Sequence, residues 1–489
     1  MSTKMVHQRQ PPPGHIVIAT FPAQGHINPS LQFAERLIRM GIHVTLATTV
    51  FAHRLMIKAN GAGVPHAAGF NIAAFSDGYD QGFKKNDDFN HYLSELRTHG
   101  SEALKDIVSA CAADGFPVTA IVRTIMLPWV ADVAREVNVP SALLWIQPAA
   151  VLGIYYYYFH GYEDAFGKEV VELPGLPPLS GGDLPSFLLP SGSGGIYGFA
   201  LAAFKEDMEQ LDDVDPNDAT VLVNTFDALE AQTLKAAVNI RYNLLGIGPL
   251  IPQYKNDPSN TSFRGDLFKN VENDNIKNWL DSQPESSLVY ISFGSFLNPC
   301  KSQKEEISKA LLEIKRPFLW VIRHKLENEM EERTEDQEEE FSNREELEKQ
   351  GKILGWCSQM EVLSHPSLGC FITHCGWNST LESICSGVPV VAFPHWADQG
   401  TNAKLIQDVW KTGVRVAAKA KNDAGVEVVG SDEIKRCIEI VLGKGGEGDE
   451  LRRNAKKWRD LAMEASKEGG SSGMNLKTFA AKVATQYYE

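Results

Sequence analysis

The stretch LGCFITHCGWNSTLES, residues 368–383, combines an apolar strand with the start of a helix. The run at 368–373 ends in β-formers, and a glycine then precedes Asn378, Ser379 and Thr380, which are residue types preferred at helix N-caps. A helix that begins in this way leaves several backbone N–H groups without partners, and such groups attract anions. The stretch therefore predicts an anion site at the carboxyl end of a strand.

Apolar runs rich in β-formers alternate with amphipathic stretches on both sides of this segment. The runs that we predict as strands are residues 16–20, 43–48, 118–122, 141–145, 220–224, 287–294, 317–322, 368–373 and 388–393. Strands that alternate with helices in this way form parallel sheets. The predicted fold class is α/β, with two doubly wound domains and a cleft between the carboxyl ends of their sheets.

The length of 489 residues favours two domains, because single hydrophobic cores stop growing at about 250–300 residues. Periodicity is lost over residues 244–263, where Gly, Pro, Asn and Asp are frequent. The predicted divisions are a disordered tail at 1–14, a first domain at 15–250, a linker at 251–265, a second domain at 266–470 and a C-terminal helix at 471–489 that could pack back on the first domain. Residues 173–195, rich in Pro and Gly, are predicted as a long surface loop.

Composition argues against several classes of protein. The net charge of −15 disfavours nucleic-acid binding, which requires a basic surface. No run approaches the roughly 18 consecutive apolar residues of a membrane span, and the N-terminus lacks the apolar stretch of a secretory signal. Seven cysteines without regular spacing fit reduced thiols, so we expect a cytoplasmic protein.

Much of the negative charge lies in one segment. Residues 327–340 contain nine acids and one arginine. We interpret this segment as a solvated surface loop or loose helix, with a docking site for a basic partner as the alternative.

Common catalytic motifs are absent or misplaced. The chain has neither the phosphate loop of P-loop enzymes nor the glycine fingerprint of dinucleotide-binding domains. The stretch GGSSG at 469–473 matches the serine motif of α/β hydrolases, with Ser471 as nucleophile, but a charged helical pattern precedes it instead of the required strand. Four cysteines and two histidines between Cys357 and Cys385 lack the paired spacing of a zinc clip. We therefore expect a hinge at 469–473 and no metal site.

Seven side chains in and around the opening stretch suit successive parts of a nucleotide sugar. They are, in chain order, Trp356, His374, Asn378, Ser379, Glu382, Asp398 and Gln399. The indole, which follows the strand-like stretch KILG, can stack on a base, and the three residues at the helix start can donate to a diphosphate. The glutamate can accept from a ribose diol, and the last two residues suit sugar hydroxyls. Each residue alone has an ordinary structural explanation, so the prediction depends on the whole set.

Residues 356–399 closely resemble, over 44 residues without a gap, the signature box of plant family 1 UDP-dependent glycosyltransferases. The rest of the chain is similar more loosely, through FPAQGHINPSLQFAERL at 21–37, WLDSQPESSLVYISFGS at 279–295 and EGGSS at 468–472. Within the family, the sequence looks most like the branch that glucosylates flavonoids, anthocyanins, plant hormones and small carboxylic acids. The resemblance implies a GT-B fold, in which the second Rossmann-like domain binds the UDP-sugar and the first binds the acceptor.

The resemblance also implies a role for each donor-site residue. Trp356 would contact uracil, and Gln359 and Glu382 would contact the ribose. The diphosphate would be bound by His374, Asn378, Ser379 and Ser295. The glucose would be bound by Asp398 and Gln399. Gln399 at the last position of the box fits UDP-glucose rather than UDP-galactose. Trp377 and Trp396 occupy family contact positions, although both could be packing residues.

In this family a histidine shortly after the first strand removes the acceptor proton, and His26 in AQGHINP matches it. Without the resemblance, a histidine before a helix can simply be a cap. The acceptor oxygen would attack the anomeric carbon from the face opposite UDP and invert the linkage from α to β. No metal is required if the helix start and His374 offset the charge on the leaving diphosphate.

One position departs from the family pattern. The family supports its histidine with an aspartate in a D-x-x-L-P-W context, where this sequence reads TIMLPW and has Thr124. A neutral hydroxyl cannot stabilise an imidazolium as a carboxylate does. One explanation is an acidic acceptor that is already ionised, which would give glucose esters or glucosides of acidic phenols. The other is that an acid such as Asp132 or Glu136 reaches His26.

The acceptor is the least predictable part of the function. Thr124 and Gln147 are the candidate acceptor contacts, and the run IYYYYFHGY at 154–162 either walls an aromatic site or packs as a core helix, which we favour. The alternatives to a glucosyltransferase are a non-catalytic nucleotide-sugar-binding protein and, less favoured, an α/β hydrolase. The expected partners are a UDP-sugar and a small-molecule acceptor, with no nucleic acid, membrane span, metal or other cofactor, and the protein is expected to be a monomer.

Overall fold

A computed structural model describes residues 14–60, 67–84, 87–189, 196–236, 240–252, 263, 267, 273–323, 342–417, 420–421 and 427–485. The predicted tail up to residue 13, most of the predicted linker and the whole acidic segment at 327–340 lie outside these residues.

The elements follow one another in the alternation that the sequence predicts. The strands are β1 (His15–Ala19), β2 (His43–Thr49), β3 (Phe70–Phe75), β4 (Ala120–Thr124), β5 (Ser141–Trp145), β6 (Val170–Val171), β7 (Leu179–Ser180), β8 (Thr220–Val223), β9 (Asn243–Gly246), β10 (Leu288–Ser292), β11 (Phe318–Val321), β12 (Lys352–Leu354), β13 (Leu368–Thr373), β14 (Val390–Ala392), β15 (Gly413–Arg415), β16 (Ala420–Lys421) and β17 (Glu427–Val428). The α-helices are α1 (Gln24–Arg39), α2 (Val50–Asn60), α3 (Phe89–Ala113), α4 (Trp129–Glu136), α5 (Ala149–Phe159), α6 (Ile196–Asp212), α7 (Ala231–Ala236), α8 (Asn273–Asp281), α9 (Lys301–Ile314), α10 (Arg344–Glu348), α11 (Gln359–Leu363), α12 (Trp377–Ser386), α13 (Gln399–Lys404), α14 (Ser431–Leu442), α15 (Gly446–Ala465) and α16 (Ser471–Thr485).

Two separate sheets organise the part of the chain that is described. One has seven strands in the order β3-β2-β1-β4-β5-β8-β9, and the other has six in the order β12-β11-β10-β13-β14-β15. All neighbouring strands within each sheet are parallel. The predicted fold class, with two Rossmann-like doubly wound domains, is therefore confirmed. The sequence analysis missed β3, β9 and β15, which all lie at sheet edges.

Helix α16 returns from the second domain to the first. The side chains of Leu476, Phe479 and Val483 are buried in the core of the first domain. Asn475 Nδ2 also donates a hydrogen bond of 2.9 Å to the carbonyl of Gly246, at the end of β9. The last helix of the chain thus completes the first core, while the exact domain limits stay predictions.

The segment that follows α5 differs from its prediction. Residues 173–189 are not a long surface loop, because Leu173, Leu179, Leu184 and Phe187 are buried in the first core. Strand β7 of this segment pairs with β6, which lies just before it, and the later part of the segment contacts the second domain. The prolines and glycines that suggested a loop instead form tight turns between buried side chains.

Two further predictions concern helices. The tyrosine-rich run lies largely in α5, where Tyr155, Tyr156 and Tyr157 are buried, in agreement with the favoured core interpretation. Ser471 opens α16 and is preceded by α15, so the strand that a hydrolase serine requires is absent from that position.

None of the described helices combines the length and the apolar character needed to cross a membrane. None of the seven cysteines, all within the described residues, forms a disulfide.

Candidate active site

Both sheets reverse their strand order at one point, and predicted site residues lie at the two reversals. The first reversal falls between β1 and β4, and the second between β10 and β13. At such a reversal the adjacent loops diverge and leave a crevice beyond the carboxyl ends of the strands, where α/β sheets bind ligands. His26 and Thr124 lie at the first reversal, and Ser295 and His374 lie at the second.

The imidazole of His26 is half-buried in the first turn of α1. Its Nδ1 lies 3.2 Å from Thr124 Oγ1, which also accepts a hydrogen bond of 3.1 Å from the Phe21 N–H. Burial lowers the pKa of His26 to about 3, so the ring is neutral at pH 7. When Nδ1–H donates to Thr124, Nε2 is left as a proton acceptor.

Neither acid that was suggested as a substitute for the family aspartate contacts His26. Asp132 accepts hydrogen bonds from Arg97, Arg135 and Gln210. Glu136 pairs with a lysine of α3. Both acids point toward neighbouring helices from α4, so the suggestion that either reaches His26 is wrong.

Thr124 does not lie where an acceptor could touch it. Its side chain is fully buried at the end of β4, and its hydroxyl is shared between His26 and the Phe21 N–H. The prediction of a direct acceptor contact at Thr124 is therefore wrong. The hydroxyl instead contacts Nδ1 of His26 and orients the ring.

His374 packs between two glycines at the start of α12. A Cβ added to Gly294 would lie 2.6 Å from its Cε1, and one added to Gly376 would lie 2.5 Å from its Nε2. Gly294 also has a φ of +75°, a conformation that favours glycine. Burial lowers the pKa of His374 to about 4, so this ring too is neutral at pH 7 and can hydrogen-bond an anion without carrying charge.

The start of α12 contacts the first domain directly beside His26. Gly376 caps the helix without a side chain, which leaves the first N–H groups of the helix available. Asn378 Nδ2 donates a hydrogen bond of 3.0 Å to the carbonyl of Gly25, the residue before His26. Asn378 Oδ1 is buried without a hydrogen-bond partner among the described residues. One side chain thus joins the predicted diphosphate site to the predicted base.

A hydrogen-bonded cluster lies further along α12. Gln359 Nε2 donates to Ser379 Oγ at 2.9 Å and to Glu382 Oε2 at 2.5 Å. Tyr290 OH donates to Gln359 Oε1 at 3.2 Å. The half-buried Trp356 packs against the cores of both domains. The two residues predicted to bind the ribose, Gln359 and Glu382, are therefore in contact, and a ribose diol could replace the hydrogen bond between them.

Asp398 and Gln399 are buried at the start of α13. Gln399 Oε1 accepts from the N–H groups of His395 and Trp396, at 2.9 and 3.1 Å. Asn402 Nδ2 donates to Asp398 Oδ2 at 2.7 Å. Burial raises the pKa of Asp398 to about 6, so this carboxyl ionises less readily than an exposed one. Both side chains are fixed before any ligand binds.

The remaining predicted residues differ in what surrounds them. Trp377 is buried, and its Nε1 donates to the carbonyl of Asn224 at 2.7 Å, which assigns the indole to packing between the domains rather than to a donor contact. Trp396 is partly exposed. Gln147 follows β5, and its buried Oε1 has no hydrogen-bond partner within the described residues, as expected of a group that awaits a ligand donor.

Two residues that support the site were not predicted. Tyr290 lies inside the apolar run of β10, where no local signal marks its contact with Gln359. Asn402 could have been found, because it lies four residues after Asp398 on one helix, and side chains at that spacing are neighbours.

Comparisons with known proteins show which family this chain resembles in sequence and fold. The family described as UDP-glucoronosyl and UDP-glucosyl transferase matches residues 253–434. UDP-glycosyltransferase 75C1 of Solanum lycopersicum is 58% identical over 482 residues, which cover 96% of this chain and 98% of that protein. Crocetin glucosyltransferase, chloroplastic, of Gardenia jasminoides is 55% identical over 493 residues, covering 99% of both chains. The crystal structure of Os79 from O. sativa in complex with UDP superimposes with a TM-score of 0.80 at 33% identity, covering 96% of this chain and all of that one.

Proposed function

Because this chain belongs to the UDP-glucoronosyl and UDP-glucosyl transferase family, we propose that it transfers glucose from UDP-glucose to an oxygen of a small plant metabolite and inverts the anomeric carbon. The observation that carries this proposal is the hydrogen bond from Asn378 to Gly25, which supports a reaction centre between the start of α12 and His26. The proposed division of labour assigns residues 15–250 to the acceptor and 266–470 to the donor.

The donor would lie along the second domain from Trp356 to α13. Trp356 would stack on uracil, and Gln359 and Glu382, which already contact each other, would bind the ribose hydroxyls. The diphosphate would accept from the free N–H groups of α12, with Ser295, His374, Asn378 and Ser379 as further donors. Asp398 and Gln399 would bind the glucose hydroxyls, with Trp396 beside them.

The chemistry would need one proton acceptor and one site for developing negative charge. The neutral ring of His26 would take the acceptor proton at Nε2, while Nδ1 stays bound to Thr124. The acceptor oxygen would attack the anomeric carbon opposite the diphosphate, so an α-linked sugar would become β-linked. The helix N-terminus and the neutral His374 would stabilise the departing diphosphate, and we propose no metal for this step.

We propose an acidic acceptor, either a carboxylic acid or an acidic phenol. Burial holds the pKa of His26 low, and Thr124 supplies no charge to stabilise the imidazolium. A carboxylic acid with a pKa of about 4 is ionised at pH 7 and needs little help from a base. Gln147, with its unpartnered buried oxygen, is the proposed acceptor contact.

Product analysis tests the proposal. The purified protein would receive UDP-glucose with competing flavonol, anthocyanidin and carboxylic-acid acceptors, and products would be identified by mass spectrometry and the anomeric coupling constant. We expect β-glucosides or β-glucose esters, with the acidic acceptors favoured. The His26→Ala variant should still bind UDP in calorimetry but lose about 10²- to 10⁴-fold in kcat with hydroxyl acceptors such as the flavonol, and much less with carboxylic acids, which are already ionised. Absence of UDP binding by the wild-type protein, or full turnover of the flavonol by the variant, would contradict the proposal.

The remaining proposals are a cytoplasmic location and a monomeric state. Seven cysteines without a disulfide are consistent with a reducing compartment. The relative from Gardenia jasminoides, in contrast, is named chloroplastic. A fluorescent fusion of the full chain would separate the two compartments, and light scattering on the purified protein would give the oligomeric state.

A further inference from the structure

The loop at residues 395–399, here called the sugar loop, is held from outside by the first domain. It contains Asp398 and Gln399, the proposed glucose contacts, so the inference rests on the proposed function. Gln399 ties the loop internally through the N–H groups of His395 and Trp396. The hydrogen bonds from the first domain described below come from residues 182–187, here called the clamp segment.

Ser186 of the clamp segment satisfies both backbone groups of Ala397. The Ala397 N–H donates to Ser186 Oγ at 2.8 Å, and the Ser186 N–H donates to the Ala397 carbonyl at 2.9 Å. Ala397 has a φ of +54°, which is unfavourable for a residue with a Cβ. Such a conformation persists only where the surroundings enforce it, and Ser186 supplies that enforcement in the middle of the sugar loop.

Aromatic contacts fix the indole next to Ala397. Trp396 meets Phe187 of the clamp segment edge to face, with ring centroids 6.0 Å apart. The ring of Phe296, which follows β10, also stacks on Trp396, with centroids 5.1 Å apart. Trp396 and Ala397 both pack against the core of the first domain, although they belong to the second. The backbone before Asp398 is therefore held on both sides.

The helix after the sugar loop is tied to the same segment. Thr401 Oγ1 donates to the Asp183 carbonyl at 2.6 Å. A Cβ added to Gly400 would lie 2.5 Å from the Gly182 oxygen, so the backbones of α13 and the clamp segment are in contact there. Arg415 donates to the Asp183 carboxylate at 2.6 Å and to the Gly182 carbonyl at 2.8 Å. This charge-assisted pair joins the clamp segment to the end of β15.

We propose that the clamp segment selects the donor sugar by fixing the sugar loop, with Ser186 as a positioning residue. UDP-glucose and UDP-galactose differ only in the orientation of one hydroxyl, so discrimination depends on how rigidly the groups that bind it are held. The domain proposed to bind the acceptor thus also takes part in the choice of donor.

Donor kinetics with Ser186→Ala test the proposal. We expect a higher KM for UDP-glucose. The kcat/KM for UDP-glucose divided by the kcat/KM for UDP-galactose should fall about five- to tenfold, which is about the effect of one hydrogen bond. The affinity for UDP alone, measured by calorimetry, should stay unchanged because the proposed UDP contacts do not include the sugar loop. Ser186→Thr keeps the hydroxyl and should restore most of the ratio. Ser109→Ala, which removes an exposed hydroxyl of α3, is the control.

Arg415→Gln provides a second route if Ser186→Ala does not fold, and it should lower the same ratio. The proposal is overturned if neither variant changes the ratio, or if the affinity for UDP falls in parallel with that for UDP-glucose. Failure of the underlying function would look different: the wild-type protein would not use UDP-glucose, or Gln399→Ala would leave the ratio unchanged.

Discussion

At the scale of single residues, the pairing of His26 with Thr124 distinguishes this chain from its family pattern. A hydroxyl can orient an imidazole through Nδ1, but it cannot favour the charged ring as a carboxylate does. Orientation and charge stabilisation, which one aspartate usually combines, are therefore separated here. The orientation remains, and we have proposed that an acidic acceptor makes the missing charge less important.

Replacing Thr124 with Asp should restore the missing charge. The new carboxylate can accept from the Phe21 N–H and from His26, so it is not buried without partners. Because a negative neighbour favours the imidazolium, the pKa of His26 should rise above its present value of about 3. The acid limb of kcat/KM should then move to higher pH, since the base is lost as pH falls through its pKa. Turnover of weakly acidic hydroxyl acceptors should rise by about tenfold or more, with carboxylic acids nearly unaffected.

The matched control is Thr124→Asn, which has a similar shape but no charge and should leave the acid limb in place. Rates would be measured from about pH 3, close to the pKa of His26, to about pH 9 with one phenol and one carboxylic acid. An equal gain for both acceptor types would refute the explanation based on acceptor acidity.

At the scale of secondary-structure elements, one side chain from the turn before α7 fixes the start of α5. Glu230 is buried, and its two oxygens accept from the N–H groups of Ala149 and Ala150, at 2.9 and 2.8 Å. Burial raises the pKa of Glu230, and the two N–H groups partly oppose that rise. Since α5 begins directly after Gln147 and Pro148, this distant cap also orients the proposed acceptor contact.

Glu230→Ala should therefore destabilise the protein by about 1–3 kcal/mol, the cost of leaving buried helix N–H groups without acceptors. Glu230→Gln keeps one oxygen and should lose less. The exposed Glu172 offers a control, because its change to Ala removes a carboxylate that caps no helix. Free energies of unfolding from denaturant titration would be compared at pH 7. A Glu230→Ala variant as stable as Glu172→Ala would show that α5 does not depend on this cap.

At the scale of the whole molecule, α16 links the two domains because it follows a helix of the second domain and packs into the core of the first. Leu476, Phe479 and Val483 are almost completely buried in the first core, although α15, which precedes them, packs on α12 and α14 of the second domain. Each buried side chain of this size contributes about 1.5–3 kcal/mol. The first domain should therefore be stable only when the end of the chain is in place.

A chain that ends at Gly470 should have a lower unfolding temperature and faster proteolysis within the first domain. A chain that ends at Thr485 keeps all three side chains and is the control. Calorimetry and limited trypsin digestion would be run on both chains with and without UDP. Equal unfolding temperatures for the two chains would contradict a stabilising role of α16.

The sequence alone determined the fold class and the central strands, and it supplied the candidate donor-site residues. Central strands of a parallel sheet are buried on both faces, so they appear as continuous apolar runs that can be read locally. The edge strands β3, β9 and β15 are partly exposed, carry a weaker apolar signal and were missed. The donor-site residues could be predicted as a set because most of them lie within one 44-residue segment.

Only the tertiary structure determined which residues meet across the domains. The contacts of Asn378 with Gly25, of Ser186 with Ala397 and of α16 with the first core join residues more than 200 positions apart. It also decided against Asp132 and Glu136 as partners of His26, and it placed Thr124 behind the imidazole. Local periodicity records which face of an element is buried, but it carries no information about the distant surface that covers that face.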